Sequence, residues 1–131
     1  MKIGFNNYIF DSSCWLEYFA GSINCKEYSK IIQNTDKIII PTIIFYEVFK
    51  KLLLETDENT AISLIAHLRE CKVVDIDFNI SLEAARTSIE EKIPMADSII
   101  FTVSKHYKCI LYTHDSHFKD IDDNIKYIEK I

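Results

Sequence analysis

Apolar runs too short to be helices alternate with longer stretches of helical period along the whole chain, and that alternation is the mark of a parallel sheet covered by helices. Tyr8-Ile9-Phe10-Asp11 reads as a first strand. Ser12 or Ser13 can cap a helix through Trp15, Leu16 and Phe19, which Gly21 is placed to end. Asn24, with Glu27 three residues on, has the form of a capping box and predicts a helix to about Asn34. Lys37 to Pro41 reads as a second strand, and Thr42 caps a long helix to about Glu55. A further helix covers roughly Glu58 to Glu70, and Cys71 to Ile76 is a third strand. Asn79 opens a helix to about Lys92, and Pro94 suits the first turn of another over Met95 to about His106. Cys109 to Thr113 is a fourth strand, and Ile125 to Ile128 is a candidate fifth at an edge.

No linker, repeat or low-complexity segment interrupts this pattern, so residues 1–131 read as one domain with enough chain for a real core. The glycines narrow its chemistry. Only Gly4 and Gly21 are present, whereas a P-loop, a dinucleotide fingerprint and a nucleophile elbow each need several close together. The net charge of −5 and a pI near 5.3 are no basic nucleic-acid footprint, although local contact through a metal or a few lysines stays open. Cys14, Cys25, Cys71 and Cys109 form no CxxC pair, which disfavours a zinc ribbon or a thioredoxin motif, and they read as reduced thiols of a cytoplasmic protein. Met1 to Phe10 lacks the basic-then-apolar form of a signal peptide. The longest apolar stretch, Ile38 to Phe49, is broken by Pro41, Thr42 and Glu47 and falls short of the ~20 residues of a membrane span.

Most acids, including Asp57, Glu58, Glu90, Glu91, Asp120, Asp122 and Asp123, lie in polar surroundings and read as solvated surface. Four do not. Asp11 closes an apolar strand, and Glu47 is the only charge within Ile43 to Phe49. Asp97 sits in the first turn of an otherwise apolar helix, and Asp115 follows the fourth strand after one residue. Open α/β sheets bind ligands at the carboxyl ends of their strands, where the helices also begin. The four acids are therefore expected to converge at one sheet edge.

Unit charges ~4 Å apart repel by roughly 4 kcal/mol at an effective dielectric of 20. Helix N-termini return only about 0.3–1 kcal/mol per carboxylate. Either some of the acids are protonated or a cation sits among them. Hard oxygen ligands select Mg²⁺ or Mn²⁺, which bridge phosphate oxygens and acidify water for phosphodiester hydrolysis. Ser12 and Thr113 are placed to orient the carboxylates or their waters. Each acid alone has a plainer reading: Asp97 as a first-turn helix acid, Asp11 or Asp115 as a cap or Asx-turn, Glu47 as a partner of Lys51.

The segments Ile9-Phe10-Asp11-Ser12-Ser13-Cys14-Trp15-Leu16-Glu17-Tyr18, Pro41-Thr42-Ile43-Ile44-Phe45-Tyr46-Glu47-Val48, Ile93-Pro94-Met95-Ala96-Asp97-Ser98-Ile99-Ile100 and Leu111-Tyr112-Thr113-His114-Asp115-Ser116-His117-Phe118 carry a resemblance. In that order the chain resembles the PIN domain family, most closely its small VapC-type ribonuclease toxins. The resemblance implies a three-layer α/β/α fold with a mostly parallel central sheet of four to five strands. It also implies an Mg²⁺- or Mn²⁺-dependent endoribonuclease of a toxin–antitoxin system, with Asp11, Glu47, Asp97 and Asp115 as catalytic and metal-binding acids. Homodimerisation and neutralisation by a cognate antitoxin go with it. Glu17 falls where many relatives carry an acid, but reads here as a helix surface residue. The low pI suggests narrow recognition of RNA by few basic residues.

His114 and His117 flank Asp115 and could form a metal pair, but chance surface placement is the plainer reading, with no role assigned to His114. A Cys14–His nucleophilic pair has no placed partner. The apolar stripe Leu52, Leu53, Leu54, Ile62, Leu64, Ile65 and Leu68 suits either core or a packing surface. Two rival functions stand beside the nuclease. A phospho-receiver domain would use Asp75 or Asp77 as acceptor and Lys126 as its lysine, but the serines after Asp11 spoil its paired acid. A haloacid-dehalogenase phosphatase fails at Ser13, where a second Asp is needed. A non-catalytic binding module on the same fold gains ground only if the four acids stay apart.

Overall fold

Phe10 and Tyr112 stack face to face at 5.1 Å in the middle of the molecule, on two strands that are neighbours in space though far apart in sequence. The computed structural model describes residues 6–131, and within them β1 (Asn7–Phe10) pairs in parallel with β4 (Cys109–Thr113). The other flank of β4 pairs in parallel with β5 (Ile125–Tyr127), which lies at an edge as the sequence suggested. β2 (Ile39–Pro41) and β3 (Lys72–Val74) form a second parallel pair, and a parallel bridge from Tyr8 to Ile38 sets β2 beside β1. The strands thus run in the order β3-β2-β1-β4-β5, and the helices flank them.

That order matters for function. The chain winds from β1 outward through β2 and β3, then crosses back to place β4 on the other side of β1. A ligand crevice opens at such a switch point, beyond the carboxyl ends of β1 and β4. Receiver domains have the order 2-1-3-4-5, with the third strand beside the first. Here β1 lies between β2 and β4, and Asp77 caps a helix while Lys126 sits on the edge strand, so the receiver reading does not fit.

The helices are α1 (Ser12–Phe19), α2 (Thr42–Glu55), α3 (Glu58–Leu68), α4 (Phe78–Glu91) and α5 (Met95–His106). Several caps lie one residue earlier than expected. Asp11, not Ser12 or Ser13, caps α1, accepting a hydrogen bond from the Cys14 N–H. Asp77 caps α4 through the Ile80 N–H, so that helix starts at Phe78 rather than Asn79. Pro41 and Pro94 occupy the cap positions of α2 and α5, and Thr42 is the first residue of its helix rather than its cap. Gly21, with φ of +65°, does terminate α1.

The expected helix from Asn24 to Asn34 is absent as a regular α-helix. A short 3₁₀ turn, Ile23–Cys25, is capped instead by Ser22, and irregular turns follow. Asn24 turns its side chain away to Glu17 and to the Ile131 N–H. Tyr28 and Ile32 nevertheless bury completely, four residues apart, so the helical spacing of apolar residues is met by turns. Ile9, Phe10, Trp15, Tyr28, Ile38, Ile40, Ile44 and Leu111 fill the core. All four cysteines are free and buried. The α2–α3 stripe divides: Leu52 and Leu68 are buried, Leu53, Leu54 and Ile62 exposed. No helix among the described residues is long and apolar enough to cross a membrane.

Candidate active site

Asp11 is both the last word of β1 and the first of α1. Its Oδ1 accepts hydrogen bonds from the Ser13 hydroxyl and the Cys14 N–H, and its Oδ2 accepts one from the Thr113 hydroxyl at the end of β4. Only 3% of the residue is exposed. Burial lifts its carboxyl above the ordinary range against the pull of these donors, and the charge of Asp115 adds to the rise.

The same hydroxyls tie the next segment down. Thr113 Oγ1 accepts from the Asp115 N–H at 2.9 Å, and Ser13 Oγ accepts from the His114 N–H at 3.1 Å. The turn after β4 is thereby laced to the start of α1. Asp115 itself caps the 3₁₀ turn Ser116–Phe118, its Oδ1 accepting from the His117 N–H at 2.9 Å.

Asp97 lies in the first turn of α5 and is 8% exposed. Its Oδ2 is sealed from solvent and takes no hydrogen bond. Burial, with the Asp115 charge second, pushes this carboxyl up to about 7. Glu47, half-buried on α2, is also raised, by burial first and by the charges of Asp11 and Asp115, while the Ser12 hydroxyl draws it back. Asp11, Glu47 and Asp97 all feel Asp115, and Glu47 and Asp97 feel Asp11 as well. Asp11 and Asp115 thus influence each other and both Glu47 and Asp97, linking four carboxylates from four separate segments at the carboxyl edge of the sheet.

The plainer readings of the single acids fare unevenly. Asp11 and Asp115 are indeed caps, but the Asp115 charge also acts on Asp11. Glu47 does not pair with Lys51, which reaches Glu55 at 3.2 Å instead. Glu17 stands apart, bonded to Asn24 and Lys130. The seven acids read as solvated surface are all exposed.

The hydroxyls divide among the acids: Thr113 holds Asp11 and the Asp115 backbone, Ser12 acts on Glu47, and Ser13, which the sequence did not single out as a site residue, bonds Asp11. The signal for Ser13 was its place two residues after a capping Asp, from which a hydroxyl can reach back to the carboxylate. Nor are the two histidines chance surface groups. His114 is buried, its Nδ1 2.8 Å from the Ile128 carbonyl and its Nε2 2.7 Å from the Tyr28 hydroxyl. His117 brings Nδ1 within 2.9 Å of Asp115 Oδ1 and 3.2 Å of Asp97 Oδ2. Burial raises the Cys14 thiol well above its usual range, which argues against a nucleophile there.

Chemically, the pocket offers hard oxygen donors, one of them a buried carboxylate oxygen with no partner. Such an orphan is costly unless it is protonated or meets a cation. The donor set fits a divalent ion of the Mg²⁺ or Mn²⁺ class.

A family model described as PIN domain matches residues 8–124. Among solved structures, a toxin–antitoxin complex from Klebsiella pneumoniae superposes with a TM-score of 0.79 at 18% identity, covering 95% of this chain and 100% of that one. The sarcin–ricin loop cleaving toxin VapC20 of Mycobacterium tuberculosis gives 0.68 at 14% identity over 84% of this chain and 91% of its own. DNA-bound VapBC from Salmonella typhimurium gives 0.71 at 14% identity over 94% and 97%. At these identities the likeness is one of fold. No curated protein matches in sequence.

Proposed function

The chain belongs to the PIN domain family, and from that membership together with the acidic pocket we propose that it is a divalent-metal-dependent endoribonuclease, the toxin of a toxin–antitoxin pair. The observation that carries this reading is the sealed Oδ2 of Asp97, which takes no aligned hydrogen bond, beside three further carboxylates whose charges act on one another. Left to themselves these charges oppose folding, so the site makes physical sense around a cation.

In this reading Asp11, Asp97, Asp115 and Glu47 hold the ion. A bound Mg²⁺ or Mn²⁺ supplies Lewis-acid polarisation of a phosphate oxygen and a lowered pKa for the attacking water. The chain's own groups set the stage for that chemistry. A carboxylate offers about four acceptor positions, and Asp11 already uses three on Ser13, Cys14 and Thr113. Its orientation is fixed, with one position on Oδ2 left for the pocket. Thr113 couples Asp11 to the Asp115 backbone, and Ser12 steadies Glu47, so little reorganisation remains to be made when substrate arrives.

The substrate proposed is RNA, and the protein partners are a cognate antitoxin and a second copy of the chain. Solved relatives that are toxin–antitoxin complexes support the antitoxin. The binding-module alternative gains ground only if the four acids stay apart, and the mutual influence of their charges supports the nuclease reading instead. The test is growth after induction in a host without antitoxin, beside cleavage of RNA in Mg²⁺ or Mn²⁺. Wild type arrests growth and cuts RNA, whereas Asp11→Ala and Asp97→Asn do neither. Normal growth with abundant soluble wild type, and no cleavage in either metal, would overturn the reading.

A further inference from the structure

The imidazole of His117 has no place in the four-acid scheme, yet it lies within contact distance of two of the acids. Its Nδ1 is 2.9 Å from Asp115 Oδ1 and 3.2 Å from Asp97 Oδ2. Neither approach is aligned as an N–H hydrogen bond, and Asp97 Oδ2 remains without a partner. Donor atoms of Asp97, Asp115 and His117 all lie within 4.8 Å of one another.

We propose that His117 is a direct ligand of the divalent ion, its Nδ1 joining Asp97 and Asp115 in a mixed nitrogen–oxygen site that favours Mn²⁺ over Mg²⁺. The inference rests on the metal-dependent reading above and adds a ligand of different chemistry to it. Adjacent ligands around an octahedral ion with bonds of about 2.1 Å stand about 3 Å apart, the spacing that Nδ1 keeps from both carboxylate oxygens. Asp97 Oδ2 is the second observation: a buried oxygen that takes no aligned hydrogen bond and has the His117 imidazole as its neighbour at 3.2 Å.

The position of the imidazole is built rather than accidental. The His117 N–H is held by Asp115 Oδ1, and the next residue, Phe118, is fully buried in the core. The backbone is thus pinned on both sides, and the side chain, about half exposed, stands at the mouth of the pocket. Carboxylate and water suit Mg²⁺, while an imidazole shifts preference toward Mn²⁺ and the later first-row ions.

The experiment uses the full chain, without RNA. Mn²⁺ is bound and its electron spin-echo envelope recorded for wild type, for wild type grown on isotopically labelled histidine, and for His117→Gln. The expected result is nitrogen modulation in wild type that changes with the labelled histidine and disappears in His117→Gln. Titrations should show Mn²⁺ affinity falling at least about tenfold in that variant, with a smaller loss for Mg²⁺. Mn²⁺ bound without nitrogen coupling, or coupling that survives in His117→Gln, overturns the ligand and leaves the acidic site standing. Wild type that binds no Mn²⁺ at all overturns both the ligand and the metal-dependent reading.

Discussion

At the scale of single residues, Asp97 concentrates the conflict between stability and function. Its carboxyl titrates near 7 in the folded chain because burial, and then Asp115, disfavour the charge, against a reference value of 3.8. The folded state therefore binds a proton that the unfolded state has released between those values. Its contribution to stability is whole below about 4 and is lost as pH rises through about 7. Asp11 and Glu47, also raised, act in the same direction. Melts in chelator should show the metal-free protein more stable at pH 5 than at pH 8, by no more than a few kcal/mol. Asp97→Asn should raise Tm at pH 8 and flatten that slope, while removing Mn²⁺ binding and RNA cleavage. An equal slope in the variant would assign the effect to other groups. Asp97 was legible in the sequence because an acid in an apolar first turn is conspicuous. His117 was legible only as half of a possible metal pair with His114, because whether an exposed imidazole meets a carboxylate depends on a turn that the buried Phe118 helps to fix.

At the scale of elements, Asp11 serves twice, as the cap of α1 and as a pocket acid. Asn caps as well as Asp does, while Ala loses about 0.5–2 kcal/mol of capping. Asp11→Asn and Asp11→Ala should both be inactive, yet Asp11→Ala should melt several degrees lower than Asp11→Asn. Coincident melts would show that the cap contributes nothing. β5 offers a second case. His114 reaches across to the Ile128 carbonyl just past the strand, and its other nitrogen is held by the fully buried Tyr28. Tyr28→Phe leaves that nitrogen unpaired, at about 1–3 kcal/mol. Hydrogen exchange of Ile125 to Tyr127 should quicken in that variant, and unchanged exchange would mean that the edge strand is held elsewhere. The helix expected around Tyr28 rested on the capping-box form of Asn24 and Glu27. Burial of Tyr28 and Ile32 does follow helical spacing, but Asn24 spends its side chain on Glu17 and Ile131 rather than on a cap. By contrast, β4 and α5 matched the expected bounds, Cys109–Thr113 and Met95–His106, since an unbroken apolar run and a proline-led first turn leave little freedom.

At the scale of the whole molecule, parallel strands and the helices between them bring strand ends and helix starts to one edge, so the meeting of four distant acids could be foreseen from order alone. The choice among neighbouring hydroxyls could not, since Ser12 and Ser13 differ only in which way a helix start turns them. If the edge so formed holds a cation as proposed, Mn²⁺ at a hundred times its Kd should stabilise the fold by about 2.7 kcal/mol, several degrees of Tm. On the proposed function it would also meet a polyanion with a chain of net charge −5. The cations beside Glu47 are Lys50, which lies over the Tyr46 ring, and Lys51, which pairs with Glu55. Two phosphate contacts to single-stranded RNA give a slope near −1.4 in log affinity against log salt. KM for RNA should accordingly rise less than about tenfold between 50 and 200 mM salt. Lys50→Ala with Lys51→Ala should raise KM at low salt and leave kcat unchanged, because neither lysine touches the acids. A hundredfold rise across that salt range would instead mean a broad basic contact, which this acidic chain would have to borrow from a partner.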